Sequence, residues 1–256
     1  MSVDLPIDRV CLVTGAGRGI GAAIAGRLSA RGHRVALCAR SIDELEAVAT
    51  NLPGPALAVP ADLTAEGSVD DVFDAVEKKW GSVEILIANA GAATSAPIAR
   101  ITDADWQHML DVNLTAPFRC LQRALPAMVA AGWGRVVVIA SVAAKRGEPY
   151  IAAYTASKHG VLGLVRAAAA EVAHTGVTVN AVCPGYVDTP LTDGSVQAIV
   201  DATGRTPEEA RAILEAKQPI GRLVTVDEVA DAVEMCVLNA AMTGQGINVD
   251  GGAVQS

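Results

Sequence analysis

The chain has 256 residues, of which 51% are hydrophobic and only 3% aromatic, and its formal net charge is −8. This length allows a large buried core, which Ala, Val, Leu and Ile must supply. The negative charge, without any Lys- or Arg-rich block, argues against nucleic acid and anionic membranes as partners. The sequence also has no apolar run of roughly 18 residues, so it predicts no membrane-spanning segment.

Short β-branched runs alternate with longer helical patterns from residue 9 onward. Strands are predicted at 9–14, 34–39, 56–59, 83–88, 134–140 and 177–182, with a last one near 246–249. Helices are predicted at 20–31, 41–51, 66–79, 112–131, 152–174 and 226–238. This alternation is typical of an α/β, Rossmann-type doubly wound fold, a mostly parallel sheet with helices on both faces. Because no linker-like segment interrupts it, we expect a single domain over residues 1–256.

Residues 191–219 depart from this alternation because they contain no strand. Within them, Thr206-Pro207-Glu208-Glu209 is a capping signature that predicts the start of a short helix. An insertion after the carboxyl end of a strand is a candidate substrate lid. The alternative is an ordinary helical excursion on the surface.

The cysteines and histidines show no pattern that indicates a cross-link or a metal. The five cysteines are scattered without a C-x-x-C motif, at Cys11, Cys38, Cys120, Cys183 and Cys236. Such a set predicts reduced thiols and a cytoplasmic protein. The four histidines lack ligand spacing with each other or with cysteine, so no metal site is predicted.

A glycine-rich turn joins the first predicted strand to the first predicted helix. Its candidate cofactor-binding residues are Gly15, Gly17, Arg18, Gly19, Ile20 and Gly21. Glycines let the backbone approach a pyrophosphate closely, and the amides at the helix start favour its negative charge. The strand–turn–helix context therefore predicts a dinucleotide site, although a glycine turn without any ligand is the alternative.

The end of the second strand indicates which dinucleotide is bound. A cofactor without a 2′-phosphate usually has its ribose held by Asp or Glu about 20 residues after the glycines. Here the strand ends in Cys38-Ala39-Arg40-Ser41, without an acidic residue. Arg40 and Arg18 would supply positive charge for a 2′-phosphate, which favours NADP over NAD. NAD remains the alternative if Arg40 is only a solvated cation at the strand end.

A candidate catalytic set comprises Ser141, Tyr154 and Lys158. Lys158 follows Tyr154 by four residues, a spacing that places both side chains on one face of a helix. An adjacent ammonium lowers the pKa of a phenol, which is ordinarily about 10. Such a phenol can exchange a proton with an alcohol oxygen. Taken alone, the Tyr-x-x-x-Lys pair is more typical of an ordinary helix surface with a solvated Lys.

In this order, the motifs resemble the short-chain dehydrogenase/reductase family, in its single-domain branch, over about residues 7–252. The resemblance rests on the glycine turn, Asp62, Asn89-Ala90-Gly91, Asn113, Ser141, Tyr154, Lys158 and Pro184-Gly185. One departure is Ala88, where the family often has a first asparagine. Residues 174–185 look most like β-ketoacyl and aromatic-polyketide ketoreductases, and hydroxyacyl or hydroxybutyrate dehydrogenases are close relatives.

The resemblance implies a role for each matched residue. Tyr154 would be the general acid or base, Lys158 would also bind the nicotinamide ribose, and Ser141 would orient the substrate oxygen. Asn113 would serve as the proton-relay asparagine. The remaining cofactor contacts would come from Asp62, Leu63, Asn89, Ala90, Gly91, Pro184, Gly185, Val187 and Thr189. We also expect the loop 145–150 and the insertion from Leu191 to line the substrate pocket. Tyr150 and Tyr186 are placed to border it, and plain packing is the alternative for either.

The implied activity is hydride transfer between NADP(H) and a ketone or secondary alcohol, with a 3-oxoacyl-type or related carbonyl compound as substrate. An NAD-dependent 3-hydroxyacyl or hydroxybutyrate-type dehydrogenase is the nearest alternative. A non-catalytic dinucleotide sensor would not need Ser141, Tyr154 and Lys158 together. A sugar-nucleotide epimerase would need more than the about 70 residues that follow Gly185. The family further implies a homotetramer, and the small residues 167–170 would allow close helix–helix contact.

Overall fold

The computed structural model describes residues 8–255, which form seven strands and nine α-helices. The strands are β1 (Val10–Thr14), β2 (Arg34–Ala39), β3 (Ala56–Pro60), β4 (Ile85–Ala88), β5 (Gly134–Ile139), β6 (Val177–Pro184) and β7 (Gly246–Val249). The helices are α1 (Gly19–Ala30), α2 (Ile42–Thr50), α3 (Ser68–Trp80), α4 (Asp103–Leu110), α5 (Ala116–Ala131), α6 (Ala152–Val172), α7 (Pro190–Thr203), α8 (Pro207–Ala216) and α9 (Val226–Leu238).

All seven strands form one sheet in the order β3-β2-β1-β4-β5-β6-β7, and every neighbouring pair is parallel. The carboxyl ends of the strands therefore lie at one edge. The strand order reverses at β1, which pairs with both β2 and β4. Ligands of open α/β sheets bind outside the carboxyl ends at such a reversal. The predicted Rossmann-type doubly wound fold is confirmed.

Helices cover the sheet on both faces, and each face has its own apolar core. On one face, α3, α5 and α6 contribute side chains such as Phe73 and Leu162. On the other face, α1, α2 and α9 contribute side chains such as Ile24 and Val233. Burying a side chain of this size contributes about 1.5–3 kcal/mol to folding. Strands buried on both faces explain the nearly continuous apolar runs in the sequence.

The helix predicted at 112–131 begins earlier in the structure. Helix α4 starts after Thr102, whose hydroxyl accepts a hydrogen bond from the backbone N–H of Asp105 at 3.1 Å. A π-helical turn, Asp111–Thr115, then leads directly into α5. Thr102 followed three residues later by an acid is a recognisable cap, so α4 was predictable. The π-turn had no signal in the sequence.

The inserted segment contains two helices, α7 and α8, where the sequence predicted one. Helix α8 begins at a capping box in which Thr206 and Glu209 bond each other's backbone N–H, as predicted. Helix α7 has Pro190 in its first turn and ends at Gly204, whose φ of +70° suits a glycine.

The cysteines are all buried, and their thiols are free. Burial raises the pKa of both Cys38 and Cys120 to about 12, so these thiols stay protonated at neutral pH. Residues 8–255 contain no helix with the length and apolar character that a membrane crossing requires.

Candidate active site

The glycine turn after β1 is shaped by contacts within the protein itself. Gly15 and Gly19 have φ values of +64° and +56°, which L-residues with a side chain rarely adopt. A Cβ atom on Gly15 would lie 2.8 Å from Nδ2 of Asn89, and one on Gly21 would lie 2.2 Å from the carbonyl oxygen of Gly15. These contacts require glycine at positions 15 and 21 and hold the turn against the start of α1.

Asn89 connects the carboxyl ends of β1 and β4 across the reversal of strand order. Its Nδ2 donates to the carbonyl oxygens of Thr14 at 2.9 Å and Gly15 at 3.0 Å. The backbone N–H groups of Asn89 and Ala90 both donate to the Thr14 hydroxyl at 3.0 Å. Asn89 therefore fixes the shape of the glycine turn. Thr14 directly precedes the glycine turn and is a further residue of this site, for which we predicted no role from the sequence.

A cleft of about 750 Å³ runs along the carboxyl edge of the sheet from this turn. Its walls include the predicted cofactor residues Gly15, Gly17, Arg18, Gly19, Ile20, Arg40, Asp62, Leu63, Asn89, Ala90, Gly91 and Thr189. The volume suits a dinucleotide, and the amides at the start of α1 face the same edge. The steric need for glycine in the turn leaves backbone, rather than side chains, facing this space.

Charged groups surround the end of the cleft next to β2. Arg40 is exposed there, and Nη1 of Arg18 lies 3.3 Å from Oε1 of Glu44. Asp62 accepts hydrogen bonds from the Thr64 hydroxyl at 2.7 Å and backbone N–H at 3.0 Å, which lower its pKa. Asp62 is therefore an anion at neutral pH. Glu44 also belongs to the walls of this cleft.

A smaller pocket of about 110 Å³ adjoins this cleft and contains the whole predicted catalytic set. Asn113 comes from the π-turn, Ser141 from the residue pair after β5, and Tyr154 and Lys158 from the first turns of α6. Its walls also include the predicted residues Ile20, Asn89, Gly91, Pro184, Gly185, Val187 and Thr189. The fold thus brings together residues as far apart in the chain as Ile20 and Thr189.

Lys158 is only 4% exposed, and its position is fixed by the protein backbone. Its Nζ donates a hydrogen bond to the carbonyl oxygen of Ile139 at 2.9 Å and lies 5.7 Å from the centre of the Tyr154 ring. Burial lowers the pKa of Lys158 to about 8, because removal from water disfavours the ammonium. The side chain is thus close to its titration point near neutral pH.

The pKa of Tyr154 differs from the sequence-based expectation. Burial raises this pKa above its ordinary value, whereas the hydrogen bond with Ser141 lowers it. We expected the Lys158 ammonium to lower the pKa, and that expectation is wrong for this structure because burial is the larger effect. The phenol is consequently protonated at neutral pH and can donate a proton.

Asn113 is 1% exposed and faces the lysine side of the pocket from within the π-turn. Its Oδ1 accepts from the Ala92 N–H at 3.1 Å, and its Nδ2 donates to the Ala92 carbonyl at 2.9 Å. A Cβ on Gly91 would lie 3.0 Å from Asn113 Oδ1 and 3.6 Å from Lys158 Nζ. Gly91 therefore allows these two side chains to approach the same backbone segment.

The loop after β6 forms the opposite wall and is fixed from two sides. Val187 forms a parallel bridge with Val224, and its carbonyl accepts from the Thr192 hydroxyl at 2.5 Å. Gln218 is 1% exposed, and a Cβ on Gly185 would lie 2.1 Å from its Oε1. Gln218 belongs to the inserted segment, and no signal in the sequence marked it.

The wall nearest the inserted segment matches the expectation in part. The insertion contributes Leu191 and Thr192 to the small pocket as predicted, whereas neither the 145–150 loop, with Tyr150, nor Tyr186 lines it. Tyr150 is 63% exposed and has a φ of +69°, and its carbonyl accepts from the Ala96 N–H at 2.8 Å. This unusual backbone conformation joins the loop before α6 to the loop after β4.

With this geometry established, comparison with known proteins defines the class. The short chain dehydrogenase family model matches residues 9–199, and the chain belongs to this family. A cis-4-hydroxycyclohexanecarboxylate dehydrogenase of Sinomonas cyclohexanicum is 38% identical over 250 residues, covering 96% of each chain. The 3-oxoacyl-(acyl-carrier-protein) reductase MabA of Mycobacterium bovis is 38% identical over 248 residues, covering 96% of this chain and 93% of the relative.

The fold is equally close to solved structures. A crystal structure of a variant actinorhodin polyketide ketoreductase with NADPH superposes with a TM-score of 0.92 at 38% identity, covering 96% of this chain and 97% of the other. The protein is an NAD(P)-dependent oxidoreductase that acts on carbonyl substrates. The predicted family, the fold and the enzyme class are confirmed.

Proposed function

We propose that this enzyme uses NADPH to reduce a 3-oxoacyl-type or related ketone to a secondary alcohol. The observation that carries the proposal is the convergence of Ser141, Tyr154 and Lys158 in one small pocket that opens into the nucleotide cleft. Relatives named as 3-oxoacyl and polyketide ketoreductases support this substrate class. The named hydroxy-acid dehydrogenase supports related cyclic ketones and the reverse, oxidative direction.

The residues of the pocket divide the work around the substrate oxygen. When bound, the nicotinamide supplies the hydride that reduces the carbonyl carbon. The Tyr154 phenol donates its proton to the carbonyl oxygen, and the Ser141 hydroxyl donates a hydrogen bond that stabilises the developing charge. The Lys158 ammonium favours the phenolate that remains and binds the nicotinamide ribose. Asn113 holds the relay water through which Tyr154 regains a proton.

The proposed cofactor contacts follow the walls of the cleft. The glycine turn with Ile20 would bind the pyrophosphate, and Asp62 with Leu63 would bind the adenine. Backbone at 89–91 and 184–185, with Val187 and Thr189, would enclose the nicotinamide and its ribose. Arg18 and Arg40 would pair with the 2′-phosphate, which is why we propose NADP rather than NAD.

A single substitution tests the chemistry. Tyr154→Phe retains the ring but removes the proton, so ketone reduction should fall by about 10³-fold or more. NADPH binding, measured by fluorescence titration, should change little. Tyr150→Phe is the matched control, because Tyr150 lies four residues away and is 63% exposed. Undiminished turnover in Tyr154→Phe would rule out its proposed role.

The substrate class and cofactor need a separate assay. Initial rates with NADPH and NADH should be compared across 3-oxoacyl thioesters, cyclic ketones and 3-hydroxy acids. We expect NADPH with 3-oxoacyl thioesters or cyclic ketones to give the highest kcat/KM. Faster turnover of hydroxy acids with NAD would instead favour the dehydrogenase alternative, and no turnover with any of them would favour a dinucleotide sensor.

We further propose a single domain in which residues 191–219 form the substrate lid. This segment lies directly after the β6 loop, and its Leu191 faces both cavities while 51% exposed. A lid of this kind excludes water once substrate is bound. Slower amide hydrogen exchange in this segment upon substrate binding would support the assignment.

The proposed assembly is a homotetramer in the cytoplasm. Ala168 and Ala169 pack against the chain's own core, whereas Gly163, Ala167 and Ala170 lie exposed on another face of α6. This exposed face of small residues allows close contact with the helix of another copy. Light scattering should give the tetramer mass, and Ala167→Glu should lower it. The free cysteines are compatible with a reducing compartment.

A further inference from the structure

Three segments around the substrate pocket meet at one carboxylate, that of Glu148. Its Oε1 accepts from Nη2 of Arg146 at 2.7 Å. Its Oε2 accepts from Nζ of Lys217 at 3.1 Å and from the Tyr186 hydroxyl at 3.2 Å. Nζ of Lys217 also lies 3.2 Å from the Tyr186 hydroxyl, so three of these groups form a closed triangle. We call these four residues the Glu148 cluster.

The four members of the cluster belong to three different parts of the enzyme. Arg146 and Glu148 lie between Ser141 and α6, in the loop that separates the catalytic serine from the catalytic tyrosine. Tyr186 follows Pro184-Gly185 in the loop proposed to enclose the nicotinamide. Lys217 caps the carboxyl end of α8 in the proposed lid. The cluster therefore joins the lid to the loop after β6, which lines the small pocket, and to the loop between Ser141 and α6.

The cluster is protected from water and charged. The Glu148 side chain is 13% exposed, compared with 41% for Lys217 and 35% for Arg146. Burial raises the pKa of Glu148, but the hydrogen bonds from Arg146 and Lys217 outweigh it and hold the pKa below its ordinary value. A half-buried carboxylate with three donors is costly to disturb, because removing one donor leaves its charge incompletely paired.

Tyr186 is fixed by the lid at both its backbone and its side chain. Gln218, which follows Lys217, accepts from the Tyr186 N–H at 2.9 Å and donates to the Tyr186 carbonyl at 3.1 Å. Lys217 and Glu148 contact the phenol of the same residue. Tyr186 directly follows Pro184-Gly185, which line the small pocket. Movement of the lid end would therefore displace this wall of the pocket.

We infer that Glu148 and Lys217 are positioning residues that hold the end of the lid and Tyr186 against the pocket, and so set the affinity for the ketone substrate. The inference rests on the proposed reductase function for its kinetic readout. Neither residue touches the reacting atoms. Their loss should therefore act on KM and on lid opening rather than on proton transfer.

The kinetic test uses Glu148→Gln, Lys217→Met and the double variant. Each single variant should raise KM for the ketone about tenfold, with kcat changed less than about threefold and NADPH affinity unchanged. The double variant should be no worse than the worse single variant, because both remove the same contact. Lys217→Arg should restore most of the affinity. Arg222→Met is the matched control, since its ion pair with Glu228 is exposed and lies outside the cluster.

A second readout needs neither substrate nor cofactor. Amide hydrogen exchange across α8 should be about tenfold faster in Lys217→Met than in the unaltered protein, and unchanged in Arg222→Met. If the exchange result holds while no ketone is reduced, the proposed function has failed and the positioning role has survived. Unchanged exchange and unchanged KM in Lys217→Met, or singles whose effects multiply in the double variant, would overturn the inference.

Discussion

In the small pocket, at the floor of the site, Asn113 and Lys158 are 1% and 4% exposed. At the rim of the adjoining cleft, by contrast, the Arg18 side chain is 64% and Leu191 51% exposed. The floor side chains bond to backbone groups of β5 and of the segment after β4, which the sheet holds in place. The rim side chains contact other flexible side chains or face solvent. Proton transfer thus relies on geometry that exists before ligands bind, whereas affinity and selectivity rely on groups that can rearrange.

The largest effect should come from the floor. Lys158→Met removes the ammonium but keeps most of the side-chain volume, so ketone reduction should fall by about 10²–10⁴-fold. Folding should be little affected, because the buried charge is itself costly. Steady-state kinetics and thermal unfolding of the same preparation test this. Lys145→Met, also on a lysine that donates to a backbone carbonyl, is a control outside the catalytic set. Equal losses of ketone reduction in both variants would contradict a special role for the floor residue Lys158.

The pH dependence of kcat/KM should reflect the titration of Lys158. Because the pKa of Lys158 is lowered to about 8, it loses its proton above that pH while the phenol of Tyr154 stays protonated. The kcat/KM for ketone reduction should therefore fall about tenfold per pH unit above pH 8.

Loss of the Lys158 proton should not lower the free energy of unfolding. Between about pH 8 and 10.5 the unfolded chain binds more protons at this lysine than the folded chain, so rising pH favours folding through this group. Circular dichroism over the same range separates loss of activity from unfolding. A kcat/KM that stays constant up to about pH 10 would contradict the proposed role of the Lys158 ammonium.

A substitution at the rim should have a smaller effect, which is confined to binding of the ketone substrate. Leu191→Ala removes apolar surface that faces both cavities, and KM for the ketone should rise about three- to tenfold. The KM for NADPH and the rate at saturating ketone should stay nearly unchanged. Ile98→Ala is the control, because Ile98 is 79% exposed and has no place in either cavity wall among residues 8–255. A loss of kcat as large as that of Lys158→Met would remove the contrast.

The smallest effect is expected at Glu44. Its carboxylate pairs with Arg18 at the end of the cleft where we place the 2′-phosphate. Glu44→Gln removes that competing charge, so KM for NADPH should fall about two- to threefold while KM for NADH stays constant. Glu46→Gln, on the same helix but outside the cleft walls of the described chain, is the control. A rise in KM for NADPH would show that Glu44 assists binding instead.

The sequence predicted the strands, most helices and the residues that the small pocket brings together, because apolar periodicity and ordered motifs are local signals. Ser141, Tyr154 and Lys158 lie close together in the chain, and the glycine turn adjoins its strand and helix. These residues come together only when the strands lie in the right order in the sheet. The alternation of strands and helices predicts the doubly wound fold that has this order.

What the sequence did not reveal depends on contacts between distant segments. Gln218 and Glu148 act on Tyr186 from other loops, and nothing near either residue in the chain signals this. The raised pKa of Tyr154 results from burial, which is a property of the packed structure. The π-turn holds Asn113 where it bonds to the backbone of Ala92, and helical periodicity does not predict such a turn.

The π-turn Asp111–Thr115 carries one residue more than an α-helix would need along the same path. Deleting a single amino acid there would let α4 and α5 merge into one regular helix. Each residue of an α-helix advances it by about 100°, so Asn113 and the inward side of α5 would no longer point in compatible directions. Genes of this enzyme should therefore tolerate single-codon deletions in the exposed Gly204 connection far better than in this buried turn.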